Sequence, residues 1–273
     1  MDRGTSIGLA VALVAIFGAA VVEAGSVSIL FALVNLPSAL IVFGGTIGSI
    51  IISFPLERVT QLPKVLGVAF REVPSSERDL VALFVRLAER ARREGLLALE
   101  GEAGEISDDT LKKGLLLVVD GTDPELVREI MESDVAAMGE RHEGRFTMFE
   151  AAGGFAPTMG IIGTVMGLVN VLSHLDKPDE LGRSIATAFI ATLYGVLSAN
   201  VFWLPIAQRL KQRNKEEVAT RHLAVEGVLA VQAGDNPRVV RDKLESFLPM
   251  ALRGEQDAST DSAAERAPAA QAA

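Results

Sequence analysis

The distribution of charged residues along the chain constrains its fold more than any other feature. Four long windows contain no Asp, Glu, Lys, Arg or His, whereas the stretches between them are rich in charge. The windows cover residues 6–22, 35–54, 151–172 and 184–208. A helix of about 20 apolar residues crosses a bilayer, and a spanning segment must satisfy its own backbone groups, which favours helices. The sequence therefore predicts an all-α membrane protein with four transmembrane helices.

The charges that flank the windows predict the topology. Basic residues directly follow the fourth window, namely Arg209, Lys211, Arg213 and Lys215. The link between the first two windows carries only Glu23, and the link between the last two has mixed charges. Since cytoplasmic loops carry the excess of Lys and Arg, we expect both termini and the long central segment in the cytoplasm.

These patterns divide the chain into five parts. Residues 1–54 hold transmembrane helices 1 and 2, 55–150 a cytoplasmic helical domain, 151–210 transmembrane helices 3 and 4, 211–253 cytoplasmic C-terminal helices, and 254–273 a disordered tail. Within the central part, apolar residues at helical spacing predict an amphipathic helix from Ser75 to Leu99, which breaks at Gly95 or soon after Glu100. A second helix is expected over residues 107–119. A third begins at Pro124 and continues to Arg145 or into the third span.

A cleaved signal peptide is an alternative interpretation of the first window. Met1, Asp2 and Arg3 precede an apolar run that ends in Val-Glu-Ala, which resembles a signal sequence. However, Asp2 beside Arg3 weakens the positive start, and removal of this helix would leave three spans. We therefore predict four spans.

The spans lack any ionisable side chain, and this limits what the chain does alone. Ion pumps and proton relays use such a group inside the membrane, so the chain either moves no ions or receives a carboxylate from a partner helix. The third and fourth spans nevertheless contain Thr164 and Thr192 near mid-membrane, and Pro157 and Pro205 near their ends. The hydroxyls either bond back to their own helix or guide a cation, and the prolines predict a pair of hinges. The glycines of the third span suit close helix packing.

Other functional classes find no support in the sequence. The chain has no cysteine, and its three histidines show no metal-ligand spacing. No nucleophile with a base and no glycine-rich phosphate loop is present, so we predict no catalytic residues, no metal site and no enzyme. The net charge of −9 argues against nucleic acid as a partner.

Six segments of the sequence, in order, resemble the MotA/PomA family of flagellar stator subunits, and the resemblance extends from the first span to Pro249. They are residues 91–100 (ARREGLLALE), 113–121 (Lys113-Gly114-Leu115 to Val119-Asp120-Gly121), 156–164 (APTMGIIGT), 191–195 (ATLYG), 204–207 (LPIA), and 226–230 (EGVLA) with Asn236-Pro237-Arg238.

The resemblance implies an ion-conducting, torque-generating subunit in the bacterial inner membrane. It implies a homo-oligomer, a pentamer, around a dimer of a MotB/PomB-like subunit that supplies the transmembrane aspartate. It also implies that the rotor protein FliG is pushed by the cytoplasmic domain, with Arg92, Arg93 and Glu100 as rotor-facing charges. No bound cofactor is expected, since the cation is cargo.

By the same resemblance, Thr164 and Thr192 line the ion path, and Pro157 and Pro205 couple ion binding to movement. In the sodium-driven members of the family that the chain resembles, a Thr-Thr pair stands where this chain has Ala191-Thr192. One fewer oxygen ligand favours H⁺ over Na⁺ as the coupling ion. The alternatives are an ExbB/TolQ-like energiser of envelope transport and a non-conducting membrane scaffold; four spans and the segment from Arg92 to Glu100 favour the stator.

Overall fold

The computed structural model describes residues 3–71, 77–173, 175, 178–248 and 250, and this part of the chain is helical with no β-strand. Four helices are long and apolar enough to cross a membrane, as the sequence predicts: Gly4–Ala24, Leu36–Ser53, Pro124–Leu172 and Ser184–Gln232. The all-α transmembrane fold class is therefore confirmed. The chain divides into two compact units, residues 1–73 with 139–215 (unit 1) and residues 74–138 with 216–273 (unit 2).

The helices have the following bounds in chain order. They are α1 (Arg3–Ala24), α2 (Ile29–Ala32), α3 (Leu36–Ala39), α4 (Gly45–Ser53), α5 (Leu56–Val59), α6 (Leu62–Ala69), α7 (Glu77–Glu94), α8 (Leu99–Glu105), α9 (Asp109–Val119), α10 (Pro124–Leu172), α11 (Pro178–Leu197), α12 (Leu204–Gln232) and α13 (Pro237–Glu245). Two π-helical segments, Leu40–Gly44 and Ser198–Trp203, join α3 to α4 and α11 to α12. A 3₁₀ turn, Leu96–Ala98, precedes α8.

Local chemistry explains where the second span begins. The Asn35 side chain accepts a hydrogen bond from the Ser38 N–H at 2.9 Å, which caps α3, and Pro37 lies in the first turn. Both are favoured helix-start signals. The predicted start at residue 35 therefore agrees with the structure to within one residue.

The helix that begins at Pro124 continues into the third span, which was one of the two alternatives from the sequence. At its start, Asp123 Oδ1 accepts a hydrogen bond from the Glu125 N–H at 2.9 Å. The helix then continues without interruption to Leu172. The fourth span likewise continues through the second π segment into α12, which ends at Gln232.

Unit 2 has a core of apolar side chains from six helices. Its members include Phe84 and Leu87 of α7, Leu99 of α8, Leu115 of α9, Met131 of α10, Val228 of α12 and Leu244 of α13. Gly227 lies directly against the Phe84 ring, where an added Cβ would collide with it. α7 ends earlier than Leu99, because Gly95 has a φ of 86° and redirects the chain. Of the two predicted break points, Gly95 is the correct one; Ser75 and Ser76 lie outside the described residues.

Unit 1 contains a second apolar cluster where α6 packs on α10 and α12. Its members include Val65, Phe146, Phe149, Ile206 and Leu210. Arg213 of α12 donates hydrogen bonds to the Val68 and Arg71 carbonyls at the end of α6, which supplies donors that a helix C-terminus lacks.

The division into compact units does not follow the five sequence parts. Residues 56–71 and 139–150 belong to unit 1, although the sequence placed them in the central part 55–150. The tail at 254–273 lies outside the described residues. The predicted part boundaries stay predictions, since compactness and membrane depth are different properties.

Candidate functional site

The backbones of α10 and α11 come into direct contact in unit 1. A Cβ added to Gly195 would lie 2.5 Å from the Ala156 carbonyl oxygen, and one added to Gly160 would lie 2.9 Å from the Ala191 carbonyl oxygen. Backbone atoms do not yield to such a contact, so both positions require glycine. This arrangement follows the small-residue packing of membrane helices.

The close contact continues along the two helices through small residues. Added Cβ atoms would lie 2.6 Å from Ala191 Cβ at Gly163, and 2.5 Å from Ala188 Cβ at Gly167. Both alanines are buried. Of the glycines that the sequence assigned at least in part to packing, Gly160, Gly163 and Gly167 form this helix–helix contact, whereas no described residue lies within 4 Å of a Cβ at Gly154.

The hydroxyls of Thr164 and Thr192 meet within this contact. Thr164 Oγ1 and Thr192 Oγ1 are hydrogen-bonded to each other. Thr164 Oγ1 also lies 3.1 Å from the Gly160 carbonyl oxygen and 3.0 Å from the Ala188 carbonyl oxygen. Thr192 Oγ1 lies 3.5 Å from the Gly160 carbonyl oxygen. Four oxygens from two helices therefore form one half-buried, hydrogen-bonded cluster.

This oxygen cluster has more acceptors than protons. Each hydroxyl has one proton and two lone pairs, and the two carbonyls contribute acceptors only. Oxygen atoms are the ligands that hard cations prefer, and a hydroxyl pair also continues a chain of proton-carrying waters. Among the described residues, no group of three or more His, Cys, Asp or Glu is placed to hold a metal ion. The cluster therefore contains oxygen atoms and carries no charge of its own.

Ala191 lies beside the cluster, one residue before Thr192. It is 1% exposed and packs on Gly163. Its Cβ therefore lies close against α10 at Gly163, which leaves little space for a larger side chain. The residue that distinguishes this chain from a Thr-Thr pair is also part of the helix contact.

The two prolines lie at the same end of this helix pair. Pro157 is inside α10, where it leaves the Gly153 carbonyl without its usual i+4 donor. Leu204, which precedes Pro205, packs directly on Gly153. The second π segment ends at Trp203, and the Leu204 N–H donates to the Ala199 carbonyl, five residues back. The backbone before Pro205 is therefore irregular, whereas Pro157 lies within a continuous α-helix that lacks one hydrogen bond. The hinge roles of the two prolines stay predictions.

The charges at the end of α7 form the second candidate site, in unit 2. Arg92 and Arg93 are exposed in the last turn of α7, and Glu100 is exposed in the first turn of α8. Arg93 pairs with Glu89 at 3.9 Å. In the described part of the chain, neither Arg92 nor Glu100 has an ion-pair partner within 4.0 Å.

Arg90, two residues earlier, is held inside the subunit instead. It donates to Glu102 and to Glu94, the latter at 3.2 Å. These hydrogen bonds, the one to Glu102 first, raise the pKa of Arg90 above its ordinary value. Arg90 is thus ion-paired within the subunit, whereas the exposed charges of Arg92 and Glu100 face solvent.

Two residues that the sequence gave no role have well-defined partners. Glu226 of α12 is paired with Arg128 of α10 at 2.7 Å and with Lys243 of α13 at 2.8 Å. Burial acts to raise the pKa of Glu226, but the hydrogen bonds from Lys243 and Arg128 outweigh it and lower the pKa. Tyr194 of α11 bonds to the link before α3. It is the chain's single tyrosine and stands inside an apolar window, a signal that the sequence offered.

Comparison with known proteins defines the class and then the family. The profile of the MotA/TolQ/ExbB proton channel family matches residues 102–222, and the profile of the motility protein A N-terminal region matches residues 6–95. The chain is 41% identical to motility protein A of Bacillus subtilis over 91% of this chain and 92% of that protein. It is 39% identical to chemotaxis protein PomA of Vibrio alginolyticus over 91% of this chain and 96% of that protein.

A solved structure agrees with this relationship. The structure of the flagellar MotAB stator complex from Bacillus subtilis matches with a TM-score of 0.85 and 39% identity, over 95% of this chain and 99% of that chain. The chain therefore belongs to the motility protein A family. It is a membrane-embedded stator subunit of a flagellar motor, as the sequence resemblance implied.

Proposed function

We propose that this subunit couples inward cation flux to torque, and that a MotB/PomB-like partner supplies the transmembrane aspartate. The observation that carries the proposal is the oxygen cluster of Thr164 and Thr192 inside spans that hold no ionisable side chain. A cation that loses its water needs either counter-charge or several oxygens. The chain has the oxygens, and a partner carboxylate completes the site.

The related complexes support a partner of this kind. Two matching structures are those of MotAB complexes, from Campylobacter jejuni and Bacillus subtilis. We propose the same type of complex here, with five copies of this chain around a partner dimer in the inner membrane. α1 suits such an assembly, because its apolar surface is exposed on the isolated chain; Val14 is 72% exposed and Val22 is 83% exposed.

We propose H⁺ as the coupling ion rather than Na⁺. Ala191 contributes no hydroxyl beside Thr192, so a dehydrated Na⁺ would find fewer oxygen ligands here than at a Thr-Thr pair. A proton needs only a carboxylate and a hydrogen-bonded path. We expect Ala191→Thr to change the dependence of swimming on sodium and on protonophores. Ala191→Ser is the smaller control, since it adds a hydroxyl with less volume against Gly163. Unchanged ion dependence in both variants would contradict the assignment of Ala191 to the ion path.

We propose that the rotor protein FliG docks on the charges at the end of α7. Arg92 and Glu100 support this role because they are exposed and form no ion pair with any residue that the structure describes, whereas Arg90 nearby is paired. Arg93 contributes at the edge, since its pair with Glu89 at 3.9 Å is long and exposed. Exposed pairs of this kind stabilise a fold by less than about 1 kcal/mol, so Arg93 is readily released to a partner.

The proposed orientation has both termini in the cytoplasm. Basic residues after the fourth span support it by the positive-inside rule. Two of them also have structural roles, because Arg213 caps α6 and Lys211 lies 3.5 Å from Glu150. No enzymatic activity is proposed.

The deciding experiment is motility in a host that lacks its own stator. The chain is expressed with and without its MotB-like neighbour, and swimming is measured in sodium buffer and in potassium buffer at matched ionic strength. Motility only with the partner, and equal in both buffers, is the expected result. Motility that requires sodium would overturn the proton assignment. A stable complex that conducts ions but drives no rotation, even with its own rotor protein supplied, would favour an envelope energiser; a complex with no ion flux would favour a scaffold.

A further inference from the structure

Span two begins at a break in the helical backbone, and this break has an unusual hydrogen-bond requirement. Between α2 and α3, Asn35 is extended, with φ of −134° and ψ of 107°. In a continuous helix the Leu33 carbonyl would accept from the N–H of residue 37, but residue 37 is proline and has none. The Asn35 N–H would donate to the Phe31 carbonyl, which already accepts from Val34 at 3.1 Å.

A single hydroxyl satisfies both groups. Tyr194 Oη donates to the Leu33 carbonyl at 2.6 Å and accepts from the Asn35 N–H at 3.0 Å. A phenol hydroxyl has one proton and accepts readily, so this pair of bonds uses its hydrogen-bonding capacity in both directions. The sequence separation is 161 residues for the first bond and 159 for the second, so Tyr194 ties the fourth span to the break.

Neighbouring contacts reinforce the same connection. Ser38 Oγ donates to the Thr187 carbonyl of α11 at 3.3 Å, and Ser38 is 4% exposed. The rings of Phe43 and Tyr194 lie 6.1 Å apart at an interplanar angle of 32°. α11 is thus attached to span two by two polar links and one ring contact.

The position of Tyr194 on α11 gives these links a consequence for the ion path. Thr192, whose hydroxyl meets Thr164, lies only two residues away on the same helix. α11 is therefore in contact with α10 through Thr192 and Gly195, and with span two through Tyr194. A shift of α11 along its axis would separate the two threonine hydroxyls and would also break the Tyr194 bonds.

We propose that Tyr194 is a positioning residue for cation passage: its hydroxyl links α11 to the backbone break before span two and thereby sets the axial position of Thr192 opposite Thr164. This inference rests on the proposed role of the two threonines in the ion path. In this proposal, cation passage depends on the hydroxyl of Tyr194 and not on its aromatic ring. The ring alone would keep its contact with Phe43.

Tyr194→Phe is the direct test, measured in the full complex in cells. Bead-assay recordings give the speed contributed by each stator unit and the number of units per motor, and both are followed as external pH and sodium are varied. We expect the speed per unit to fall by about fivefold, the factor that one unmade buried hydrogen bond implies, with a shifted pH or sodium dependence. A purely structural role would reduce only the number of units. Phe43→Leu, which removes the ring contact and keeps the hydroxyl, should leave the speed per unit near wild type.

Two further variants decide the remaining outcomes. If Tyr194→Phe does not assemble, Ser38→Ala removes only the weaker link and should lower the speed per unit in the same direction by a smaller factor. Wild-type speed and ion dependence in Tyr194→Phe, or in Ser38→Ala where that variant decides, would overturn the inference. Thr192→Val separates the two proposals: normal rotation with this variant would overturn the ion path itself, whereas its failure beside a normal Tyr194→Phe would overturn only the positioning role.

Discussion

The α10–α11 contact of unit 1 and the core of unit 2 solve the problem of helix packing in opposite ways. In unit 1, glycines and alanines bring two backbones together, and the polar atoms between them are hydroxyls and carbonyls. In unit 2, large side chains such as Phe84 and Leu115 fill the space, and charged pairs lie around it. Lipid offers no hydrophobic drive for helix association, whereas burial from water does.

This difference predicts which kind of substitution each region tolerates. The contact in unit 1 has no space for added atoms, so it is sensitive to larger side chains. Unit 2 depends on filled volume and on charge, so it is sensitive to lost atoms and to altered charges. The following predictions test that difference, from the largest expected effect to the smallest.

Gly195→Val should have the largest effect. Its Cβ would meet the Ala156 carbonyl at 2.5 Å, so α10 and α11 must separate, and we expect loss of motility and of recoverable complex. Gly154→Val, on α10 itself, is the matched control, because no described residue lies within 4 Å of a Cβ at Gly154. Membrane yield and swimming of the two variants give the measurement. Normal swimming of Gly195→Val would show that the close contact is not required.

Pro157→Leu and Pro205→Leu should stop rotation while the complex still forms. Leucine restores the N–H that proline lacks, so each helix gains a regular hydrogen bond and loses a bend. Co-purification with the partner measures assembly, and bead rotation measures function. A variant that assembles and rotates at normal speed would exclude its proline as a hinge.

Arg92→Glu and Glu100→Lys should reduce torque several-fold without affecting assembly. Both side chains are exposed, and neither forms an ion pair within the described part of the chain. Reversal should therefore leave the fold of unit 2 intact and alter only contacts with another molecule. Swimming speed at low and at high viscosity reports the torque. Arg86→Glu, an exposed reversal on the same helix, is the control and should swim normally. Loss of complex in either reversal would instead assign the charge a structural role.

Glu226→Gln should have the smallest effect, and the effect should depend on pH. The pKa of Glu226 is lowered in the folded state, so its contribution to stability is present above its unfolded pKa and is lost as pH falls through its folded pKa. We expect the free energy of unfolding to decrease by about 1–2 kcal/mol at neutral pH. The difference should shrink as pH falls below the ordinary glutamate pKa of about 4.3 and should disappear once pH is below the lowered pKa of Glu226.

Thermal melts of the solubilised complex across this pH range measure the difference for Glu226→Gln. Glu132→Gln is the control, since Glu132 is 49% exposed and lies 3.5 Å from Arg128. A Glu226→Gln difference that persisted in acid would show that the amide's altered hydrogen bonding, not the lost charge, was responsible.

The sequence predicted most of the helices because their signals are local. Apolar windows gave the spans, Gly95 ended α7, and Asp123 with Pro124 began α10. The π segments and the short helices α5 and α6 were not predicted. For α6 the reason is visible, because carbonyls at its end accept from Arg213, which is more than 140 positions away in the chain.

The candidate site shows the same limit. Thr164 and Thr192 were chosen as hydroxyls within apolar spans, but their meeting depends on Gly160 admitting the α11 backbone. Tyr194 was within a motif already noted, yet its role depends on Pro37, which is 157 positions away in the chain. A pattern within one segment cannot show that a hydroxyl in one helix satisfies the unpaired backbone groups of a distant helix break.

The second π segment alters how the fourth span must be counted. A π turn takes in one more residue than an α turn, so the helical phase after Trp203 differs by about 100° from that of an uninterrupted helix. The face that Ala188, Ala191 and Gly195 present to α10 therefore does not continue to Ile206 by heptad counting. Deletion of one residue from Ser198–Trp203 would make the helix regular and turn every side chain on one side of the deletion to a new direction. In this span, the number of residues in the π segment determines which way the side chains on its two sides face relative to each other.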